Sequence, residues 1–276
     1  MHKVSIVTIS FNQAKFLERA IRSVVDQDYP EIEYIVVDPG STDGSRDIIE
    51  RYRSRISRVI YEPDCGPADG LNKGFACATG DIFGYINADD AYLPDAIREA
   101  VAALDNSKAD VIYGDGYIVD ENDRCIRRFV STPFSFRRFV LGAVPILQQS
   151  TFFTANAYRD VGSFNVENRT CWDGELLFDL AARGKKFLHV PRYWSVFRLY
   201  SSSISGSGRS LQQYYRDQER IVEPAIAPYR WILPVARAAA RLEKHLVSPK
   251  TALFRLQDRV WAPRHHTMFA GVHKRL

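Results

Sequence analysis

Two carboxylates and an amide follow directly on a short apolar run, in the segment Asn87-Ala88-Asp89-Asp90. The run before them, residues 82–86, is interrupted only by Gly84 and predicts a buried strand of a parallel sheet. Open α/β sheets bind their ligands at the carboxyl ends of such strands. Because neighbouring carboxylates repel each other unless a cation or solvent compensates, this segment predicts a metal-assisted site for a phosphate-bearing ligand. An acidic N-cap for the next helix is the alternative.

A second polar turn, Asp38-Pro39-Gly40-Ser41-Thr42-Asp43-Gly44, follows another apolar run. The N–H groups of a Gly/Ser turn that opens a helix favour an anion. The carboxylate of Asp38 can accept a hydrogen bond from a nucleobase or from ribose hydroxyls. A plain capped turn between strand and helix is the alternative. The chain has neither a G-x-G-x-x-G sequence after its first strand nor a G-x-x-x-x-G-K-[ST] sequence, so the Rossmann dinucleotide and P-loop fingerprints are absent.

The elements that must position these turns alternate between strand and helix patterns. Residues 4–9, 34–37 and 58–61 are short strand-like runs, and residues 111–113 form a further one. Apolar residues recur at helical spacing from Phe16 to Val25, and further helix patterns cover 48–52, 71–80 and 95–104. Because a strand–helix–strand unit has a right-handed crossover, this part predicts a mainly parallel sheet flanked by helices.

Beyond Gly114 the pattern changes. It predicts a hairpin from 117–119 and 125–130, strands at 148–153, 187–190 and 194–199, and a helix between Asp173 and Gly184. Residues 201–208 are rich in serine and glycine, which predicts a mobile loop. The remainder reads as basic helices interrupted by prolines. We therefore predict three parts: a ligand-binding subdomain at 1–115, a second small β/α subdomain at 116–205, and a basic helical extension at 206–276.

Composition is ordinary for a soluble globular protein, with 276 residues of which 46% are hydrophobic and 25% charged. Four scattered cysteines without a C-x-x-C pair predict neither a zinc site nor a disulfide framework, and they favour a reduced, cytosolic compartment. The strand pattern that begins at Val4 leads us to expect no signal peptide. No apolar run approaches the roughly 18 residues of a membrane-spanning helix.

Charge is unevenly distributed along the chain. From Arg209 to Leu276 there are 13 Lys/Arg and 5 Asp/Glu, so this segment carries +8 and residues 1–208 carry −4. The segment lacks the aromatic platforms of a nucleic-acid interface, and we expect no nucleic-acid partner. Basic and apolar residues alternate in it and predict a helix that docks on an anionic membrane surface; they are Arg230, Trp231, Ile232, Leu233, Arg237, Arg241, Leu242 and Lys244. A helix pair packed on the rest of the protein is the alternative.

Four short segments together resemble the family-two glycosyltransferases with the GT-A fold. They read Val-Thr-Ile-Ser-Phe-Asn-Gln from Val7, Ile-Val-Val-Asp-Pro-Gly-Ser-Thr-Asp-Gly-Ser from Ile35, Asn-Lys-Gly from Asn72 and Ile-Asn-Ala-Asp-Asp from Ile86. Their order and spacing match as well, and the resemblance runs from about Val4 to Arg198. It implies a Rossmann-like sheet with a smaller acceptor-side region and a helical tail.

The resemblance implies roles for residues that match the family's motifs. Asp38 falls on the carboxylate that contacts the base, and Asn87-Ala88-Asp89 falls on the D-x-D motif, with Asp89 as the main metal ligand and Asp90 as a secondary one. Asn87 removes one charge from that motif. Donor binding is implied for a larger set at strand ends and in loops: Thr8, Ser10, Asn12, Asp38, Gly40, Ser41, Asp64, Asp69, Asn72, Lys73, Asn87 and Asp89.

A third site opens a predicted helix at Trp172-Asp173-Gly174-Glu175. It resembles the family's acidic pair, whose aspartate is the general base, and this implies that role for Asp173 with Glu175 in reserve. Trp172 stands where the first acid is usual, and an N-cap role for Asp173 is the alternative. The acceptor side is implied for Gln148, Gln149, Trp172 and Glu175. Tyr200 occupies the position at which some relatives carry a metal-binding histidine, and we leave it out of the metal set.

The resemblance implies an enzyme that moves a sugar from a nucleotide-diphosphate donor to an acceptor hydroxyl, with inversion and with Mg²⁺ or Mn²⁺. It adds three expectations: a sugar or lipid-linked saccharide acceptor, a part in bacterial cell-surface polysaccharide or glycolipid biosynthesis, and a cytoplasmic location that extends to the inner face of the plasma membrane. A catalytically inactive sugar-nucleotide-binding scaffold is the alternative, which Asn87 and Trp172 suggest.

Overall fold

The computed structural model describes residues 1–201, 203, 206–207, 211–249, 253–254 and 257. Its helices and strands are β1 (Val4–Ile9), α1 (Ala14–Val25), β2 (Ile32–Val37), α2 (Ser45–Arg51), β3 (Arg58–Ile60), α3 (Pro67–Ala76), β4 (Ile82–Asn87), β5 (Ala91–Tyr92), α4 (Ala96–Asp105), β6 (Val111–Val119), β7 (Cys125–Phe129), α5 (Phe136–Val140), β8 (Thr151–Thr154), α6 (Ala155–Val161), α7 (Trp172–Ala182), β9 (Phe187–Arg198), α8 (Leu211–Ile226) and α9 (Leu233–Val247). Short 3-10 turns lie at Arg53–Arg55, Gln148–Ser150 and Ala227–Ile232.

Nine strands of the described chain form one sheet in the order β3-β2-β1-β4-β8-β6-β9-β5, with β7 paired to β6 beside this path. The predicted parallel arrangement is confirmed for β3, β2, β1 and β4. Pairing then becomes mixed, because β8 runs antiparallel to both β4 and β6, whereas β9 runs parallel to β6. All four parallel strands of the first half therefore direct their carboxyl ends to one edge.

Helices cover both faces of this sheet. On one face α1, α2 and α4 bury residues such as Leu17, Ile49 and Ile97, and on the other α3, α6 and α7 bury residues such as Phe75. Each fully buried aliphatic side chain contributes about 1.5–3 kcal/mol through the hydrophobic effect. The predicted alternation of strands and helices thus forms three layers, a sheet between two layers of helices. The packing of these layers fixes the strand ends in place.

Three predicted elements differ from the structure. Residues 187–190 and 194–199 belong to the single strand β9, and β6 continues through Gly114 instead of ending there. Glycine is needed at 114 for close packing, because a Cβ would lie 2.6 Å from the Trp194 ring. Gln148–Ser150 is a 3-10 turn and not part of a strand, since its side chains and N–H groups bond locally and to neighbouring turns. The predicted boundary at 115/116 lies within β6, and the division into parts stays a prediction.

The C-terminal helices pack on the rest of the protein through their apolar faces. Ile221, Ile226 and Ala240 join Phe178 of α7 and Val140 of α5 in one buried cluster. Of the predicted membrane-facing residues, Leu233 packs against this cluster and Lys244 is buried, so both belong to the inner side of α9. None of the described helices is long and apolar enough to cross a membrane. Half of the predicted loop at 201–208 and nearly all residues after 249 lie outside the described residues.

A polar cluster at the opposite edge of the sheet joins β1, β2 and the turn before β4. Glu33 accepts hydrogen bonds from Ser5 Oγ (2.6 Å), Thr79 N (2.7 Å), Thr79 Oγ1 (2.7 Å) and Lys3 Nζ (3.1 Å). Burial raises the pKa of Glu33, but these hydrogen bonds outweigh that effect and lower it to about 2. The ionised carboxylate therefore stabilises the start of three parallel strands.

We expect Glu33→Gln to lower the free energy of unfolding by about 2 kcal/mol at pH 7, because it removes a carboxylate whose folded pKa is depressed. Since that stabilisation is present above the unfolded pKa and is lost as pH falls through the folded value, the difference from wild type should shrink between about pH 4.5 and pH 2. Urea denaturation at several pH values measures it. Glu31→Gln, an exposed neighbour, is the control, and an equal effect of both variants would contradict the assignment.

Candidate functional site

A cavity of about 1320 Å³ opens where β1, β2 and β4 end, and it extends past α7 to the C-terminal helices. Single small-ligand clefts commonly have about 300–1,000 Å³, so this one has room for two substrates side by side. Eight of the predicted site residues line it: Ser10, Asp64, Asn87, Asp89, Gln148, Gln149, Trp172 and Asp173. The structure thus brings the predicted donor, metal and base residues to one space.

Buried polar atoms without partners mark the strand ends. Ser10 Oγ after β1, Asp38 Oδ2 after β2 and Asn87 Oδ1 at the end of β4 are inaccessible to solvent and have no hydrogen-bond partner among the described residues. Leaving such a group unsatisfied costs about 1–3 kcal/mol. These strands are neighbours in the sheet, so the three atoms lie along one edge and suit a polar ligand that would satisfy them.

The loops after β1 and β2 are tied to each other. Asn12 N donates to Ser41 Oγ at 2.8 Å, and Thr42 N donates to Asn12 Oδ1 at 2.9 Å. Asp38 Oδ1 accepts from Gly40 N at 3.1 Å and Ser41 N at 2.8 Å, and also from the Arg46 guanidinium at 3.1 Å. These bonds leave only Oδ2 of Asp38 open. None of Asn12, Asp38, Gly40 and Ser41 lines the cavity, whereas Pro39, next to Asp38, does. The four residues hold the wall of the cavity in shape.

Asp89 lies at the cavity beside Tyr200. The Tyr200 hydroxyl is 3.1 Å from Asp89 Oδ2 and 3.2 Å from Gln13 Oε1, and its ring packs on Phe16. Burial raises the pKa of Asp89, which the hydrogen bond from Tyr200 partly opposes. Burial and then the charge of Asp89 raise the pKa of Tyr200 to about 12, so the phenol stays protonated and donates. Gln13 and Tyr200 belong to the site, and the sequence prediction omitted Gln13.

Asp90 is enclosed by donors. Its Oδ1 accepts from Arg198 N at 2.9 Å, and its Oδ2 accepts from Gln149 Nε2 at 2.6 Å and Asn87 Nδ2 at 3.2 Å. The buried Arg198 also donates to the Asp89 carbonyl at 2.9 Å. Asp90 does not line the cavity. This geometry does not fit the predicted secondary metal ligand, because the carboxylate is already occupied by three N–H donors; it suits a residue that positions Asp89.

The predicted donor residues of the β3–α3 region divide into two groups. Asp64 lines the cavity, and Gly66 N donates to it at 2.9 Å. Asn72 uses both ends of its amide elsewhere, donating to the Phe164 carbonyl at 2.9 Å and accepting from Tyr158 Oη at 3.0 Å. In addition, Asp69 accepts from Cys65 N at 2.8 Å and pairs with Lys73 at 3.2 Å. Asp69 and Lys73 therefore hold the loop that carries Asp64, whereas Asn72 ties α3 to α6 and the loop after it; none of the three lines the cavity.

Two acids in the first turn of α7 have opposite environments. Asp173 lines the cavity, no described side chain hydrogen-bonds to its carboxylate, and burial raises its pKa. Glu175 accepts both N–H groups of Arg220 at 2.8 Å and further bonds from Asn165 and Asn168. Burial raises the pKa of Glu175, but these hydrogen bonds outweigh it and the net pKa is lowered. Glu175 does not fit the predicted role of reserve base or acceptor-side residue. Its carboxylate is bound by Arg220, and the residue does not line the cavity.

Two aromatic residues add polar atoms to the middle of the cavity. Tyr85 Oη and Trp172 Nε1 are buried and have no hydrogen-bond partner in the described part of the chain, and both residues line the cavity. Gln148 Nε2 donates to the Tyr85 carbonyl at 2.8 Å, which fixes the 3-10 turn against β4. Trp172 thus offers an N–H donor next to Asp173, and Tyr85 is a site residue that the sequence prediction missed.

Thr8 does not reach the cavity. Its Oγ1 accepts from the buried Tyr34 hydroxyl at 3.0 Å. The pattern of alternation could have shown this, because Thr8 shares its face of β1 with the core residues Val4 and Ile6, whereas the adjacent Ile9 lines the cavity. Arg237 and Arg241 of α9 also line the cavity. No local signal in the sequence places them there, since their position depends on how α9 packs.

Comparison with known proteins places this geometry in context. The sequence shares 34% identity over 127 residues with an uncharacterized glycosyltransferase of Nostoc, a match that covers 45% of this chain and 39% of that protein. It shares 32% identity over 180 residues with an uncharacterized glycosyltransferase of Mycobacterium tuberculosis, which covers 64% of this chain and 68% of that protein. The chain thus spans well under half the length of the first relative and about two thirds of the second.

Two crystal structures have a similar fold. TarS from Staphylococcus aureus in complex with UDP-GlcNAc superposes with a TM-score of 0.67 at 18% identity, over 92% of this chain and 76% of that chain. TarS is named a poly(ribitol-phosphate) β-N-acetylglucosaminyltransferase. The mannosyltransferase PcManGT from Pyrobaculum calidifontis, in complex with GDP-Man and Mn²⁺, gives 0.61 at 18% identity, over 95% and 81%. These likenesses confirm the predicted GT-A fold.

The sequence model of the glycosyl transferase family 2 matches residues 5–162, which include β1 to β4 and all three of the unpartnered strand-end atoms. This match covers more than half of the chain, and the predicted family is confirmed: the chain belongs to glycosyl transferase family 2.

Proposed function

We propose that this protein transfers a sugar from a nucleoside-diphosphate donor to an acceptor hydroxyl, with inversion at the anomeric carbon. The observation that carries the proposal is the free carboxylate of Asp173, which lines the same cavity as Ser10 and Asn87, two residues with unpartnered polar atoms at the strand ends. A general base must reach the proton that it removes, and its pKa works best near the operating pH. Asp173 meets both conditions better than Glu175, which Arg220 holds.

The donor occupies the end of the cavity formed by β1, β2 and β4. Asp38 Oδ2 and Ser10 Oγ are acceptor and hydroxyl groups that suit the base and ribose, and Asn87 Oδ1 suits a ribose hydroxyl or a metal-bound water. Support comes from the two fold relatives, one of which was crystallised with UDP-GlcNAc and the other with GDP-Man. Of the implied donor residues, we propose Ser10, Asp38, Asp64, Asn87 and Asp89 as direct contacts.

A divalent cation fits this site on chemical grounds. Mg²⁺ and Mn²⁺ take oxygen ligands, often one or two carboxylates together with substrate phosphates. Asp89 offers such an oxygen at the cavity, with Asn87 Oδ1 beside it. Asp89 and Asn87 would hold the cation together with oxygens of the donor diphosphate. The bound cation would supply positive charge next to the diphosphate.

The reaction that these residues support is a single displacement. The acceptor oxygen forms a bond to the anomeric carbon, the bond from that carbon to the diphosphate breaks, and the acceptor proton passes to Asp173. The nucleoside diphosphate leaves with the bonding electron pair. Asp173 lines the cavity at the start of α7 without a side-chain hydrogen-bond donor among the described residues, and a single displacement through one base inverts the anomeric configuration.

We further propose that α9 lies against an anionic membrane surface. The helix and the 3-10 turn before it carry a stripe of apolar side chains that are 65–83% exposed: Trp231 in the turn, and Val235, Leu242 and Leu246 in α9. Their spacing of four to seven residues places them on one side of the helix, opposite the face that packs on the protein. An exposed apolar stripe beside arginines suits an interfacial helix. This position agrees with a part in bacterial cell-surface polysaccharide synthesis with a lipid-linked acceptor.

We expect Asp173→Asn to reduce turnover by about 10²–10⁴-fold while UDP binding with Mn²⁺ stays intact, because only the base is lost. Wild-type kcat/KM should fall as the pH is lowered through the pKa of Asp173, because protonation removes the base. Since burial raises this pKa, the fall should begin at a higher pH than the usual range for an aspartate. Transfer or hydrolysis is assayed with UDP-, GDP- and dTDP-sugars. Asp179→Asn on the same helix is the control; full activity of Asp173→Asn would exclude this base.

Asp89→Asn should abolish the part of UDP affinity that depends on Mn²⁺, because the carboxylate ligand is removed, and should leave the metal-free affinity nearly unchanged. Calorimetric titration of UDP with and without Mn²⁺ measures this. Asp160→Asn, a surface acid, serves as control. If wild type, Asp89→Asn and Asp173→Asn are equally inactive with every donor but bind nucleotide, the protein is an inactive sugar-nucleotide-binding scaffold instead.

Replacing Trp231 and Leu242 by serine should lower the affinity for phosphatidylglycerol vesicles by about tenfold or more, because both side chains bury apolar area in the membrane interface. Sedimentation with vesicles at low and high salt is the measurement. The matched control is Leu211→Ser, which removes an exposed leucine of α8 that is off the stripe. Unchanged binding of the double variant would exclude α9 as the membrane contact.

A further inference from the structure

The far end of the cavity is formed by the C-terminal helices and carries basic side chains. Arg237 and Arg241 line it together with Arg127 of β7, and Glu219 of α8 is the acid in the same part of the lining. The first two arginines have no hydrogen bond or ion pair with any described residue. Most other arginines of α8 and its surroundings are engaged, for example Arg220 with Glu175 and Arg230 with Glu223. Arg237 and Arg241 thus combine a place in the cavity lining with the absence of a partner among the described residues.

Packing of α9 fixes their direction. Leu233, Ala236 and Ala240 form its buried face. Val235, Leu242 and Leu246 form its exposed apolar stripe, which Trp231 of the preceding 3-10 turn extends. At about 100° per residue, Arg237 and Arg241 lie next to each other between these two faces. The helix therefore presents three different sides: one to the protein core, one to the outside and one to the cavity.

We propose that Arg237 and Arg241 bind a phosphate or diphosphate group of the acceptor, and that this enzyme selects anionic acceptors for that reason. The inference rests on the proposed transferase function, because it takes the α7 end of the cavity as the acceptor side. Two guanidinium groups that are four residues apart on one helix face match the oxygens of a phosphate or diphosphate, which arginine binds bidentately. A neutral saccharide would leave both charges without a counterion.

The position of this anion site agrees with the rest of the cavity. Asp173 at the start of α7 separates it from the donor end, so an acceptor that is held by its phosphate at α9 would extend its hydroxyl toward the base. The tyrosines Tyr214 and Tyr215 of α8 line the passage between them and offer aromatic faces to a sugar ring. The exposed stripe of α9 is adjacent, so the phosphate of a lipid-linked acceptor and that of a free sugar phosphate can both reach the arginines.

Calorimetric titration with three probes tests the proposal: farnesyl-diphosphate-linked N-acetylglucosamine, N-acetylglucosamine 1-phosphate and the neutral octyl N-acetylglucosaminide. We expect wild type to bind at least one anionic probe about tenfold more tightly than the neutral probe, with an affinity that falls as salt rises. The variant R237Q/R241Q should lose this preference without changing neutral binding, and R237K/R241K should retain part of it. The matched control R183Q/R216Q removes two arginines that do not line the cavity.

Each result has a defined meaning. Binding of both anionic probes supports recognition of the phosphate alone, and binding of the lipid-linked probe alone supports recognition of a membrane-borne diphosphate. The proposal is overturned if wild type shows no salt-dependent preference for either anion, or if R237Q/R241Q and R183Q/R216Q behave alike. Titration of the same samples with UDP and Mn²⁺ tests the proposed transferase function separately from the anion site. If UDP does not bind, the donor function is contradicted, and the comparison of the three probes still decides whether the arginines bind an anion.

Discussion

The buried carboxylate of Asp90 is the constraint on which the site depends. Burial raises the pKa of Asp90 well above the usual range for an aspartate, and the neighbouring charge of Asp89 adds to this rise. Because a buried carboxyl group without hydrogen-bond partners costs free energy, the fold must surround it with donors. Those donors come from Arg198 at the end of β9, from Gln149 in the 3-10 turn and from Asn87. Two segments that are far from β4 in the chain, the end of β9 and the 3-10 turn, are thereby drawn to the tip of β4. Asp89 owes its place at the cavity to this arrangement.

The same cluster explains how much of the protein could be predicted. Strands and helices up to Asn87 follow from local apolar periodicity, and the four motif segments identify the family. Contacts across long separations could not be predicted: Asn72 bonds to residues 86 and 92 positions later, and Arg198 reaches back by 108 positions to Asp90. Asn72 and Thr8 match the family motifs but make structural hydrogen bonds away from the cavity. The motifs alone therefore do not distinguish such residues from those that face the cavity.

The C-terminal helices show a different limit of the sequence. Its uneven charge predicts an anionic partner, but charge alone does not say which arginines are available. Packing decides this, because α8 and α9 bury their apolar faces on α5 and α7 and the ion pair of Glu175 with Arg220 fixes α8 to the first turn of α7. Of the two alternatives that the sequence left open, packing on the core is observed, and the proposed membrane contact would use the opposite side of the same helix, so the two do not compete.

That ion pair also separates the two acids of α7. Asp173 and Glu175 begin as similar carboxylates two residues apart, and pairs whose environments push their pKa values in opposite directions are the usual mark of distinct roles. Arg220 lowers the pKa of Glu175 and satisfies its oxygens, whereas Asp173 receives no side-chain donor and its pKa rises with burial. The docking of α8 therefore contributes to this difference, since Arg220 adds its two N–H donors to those of Asn165 and Asn168 that hold Glu175. In this protein the attached helices and the proposed catalytic residue are one structural unit.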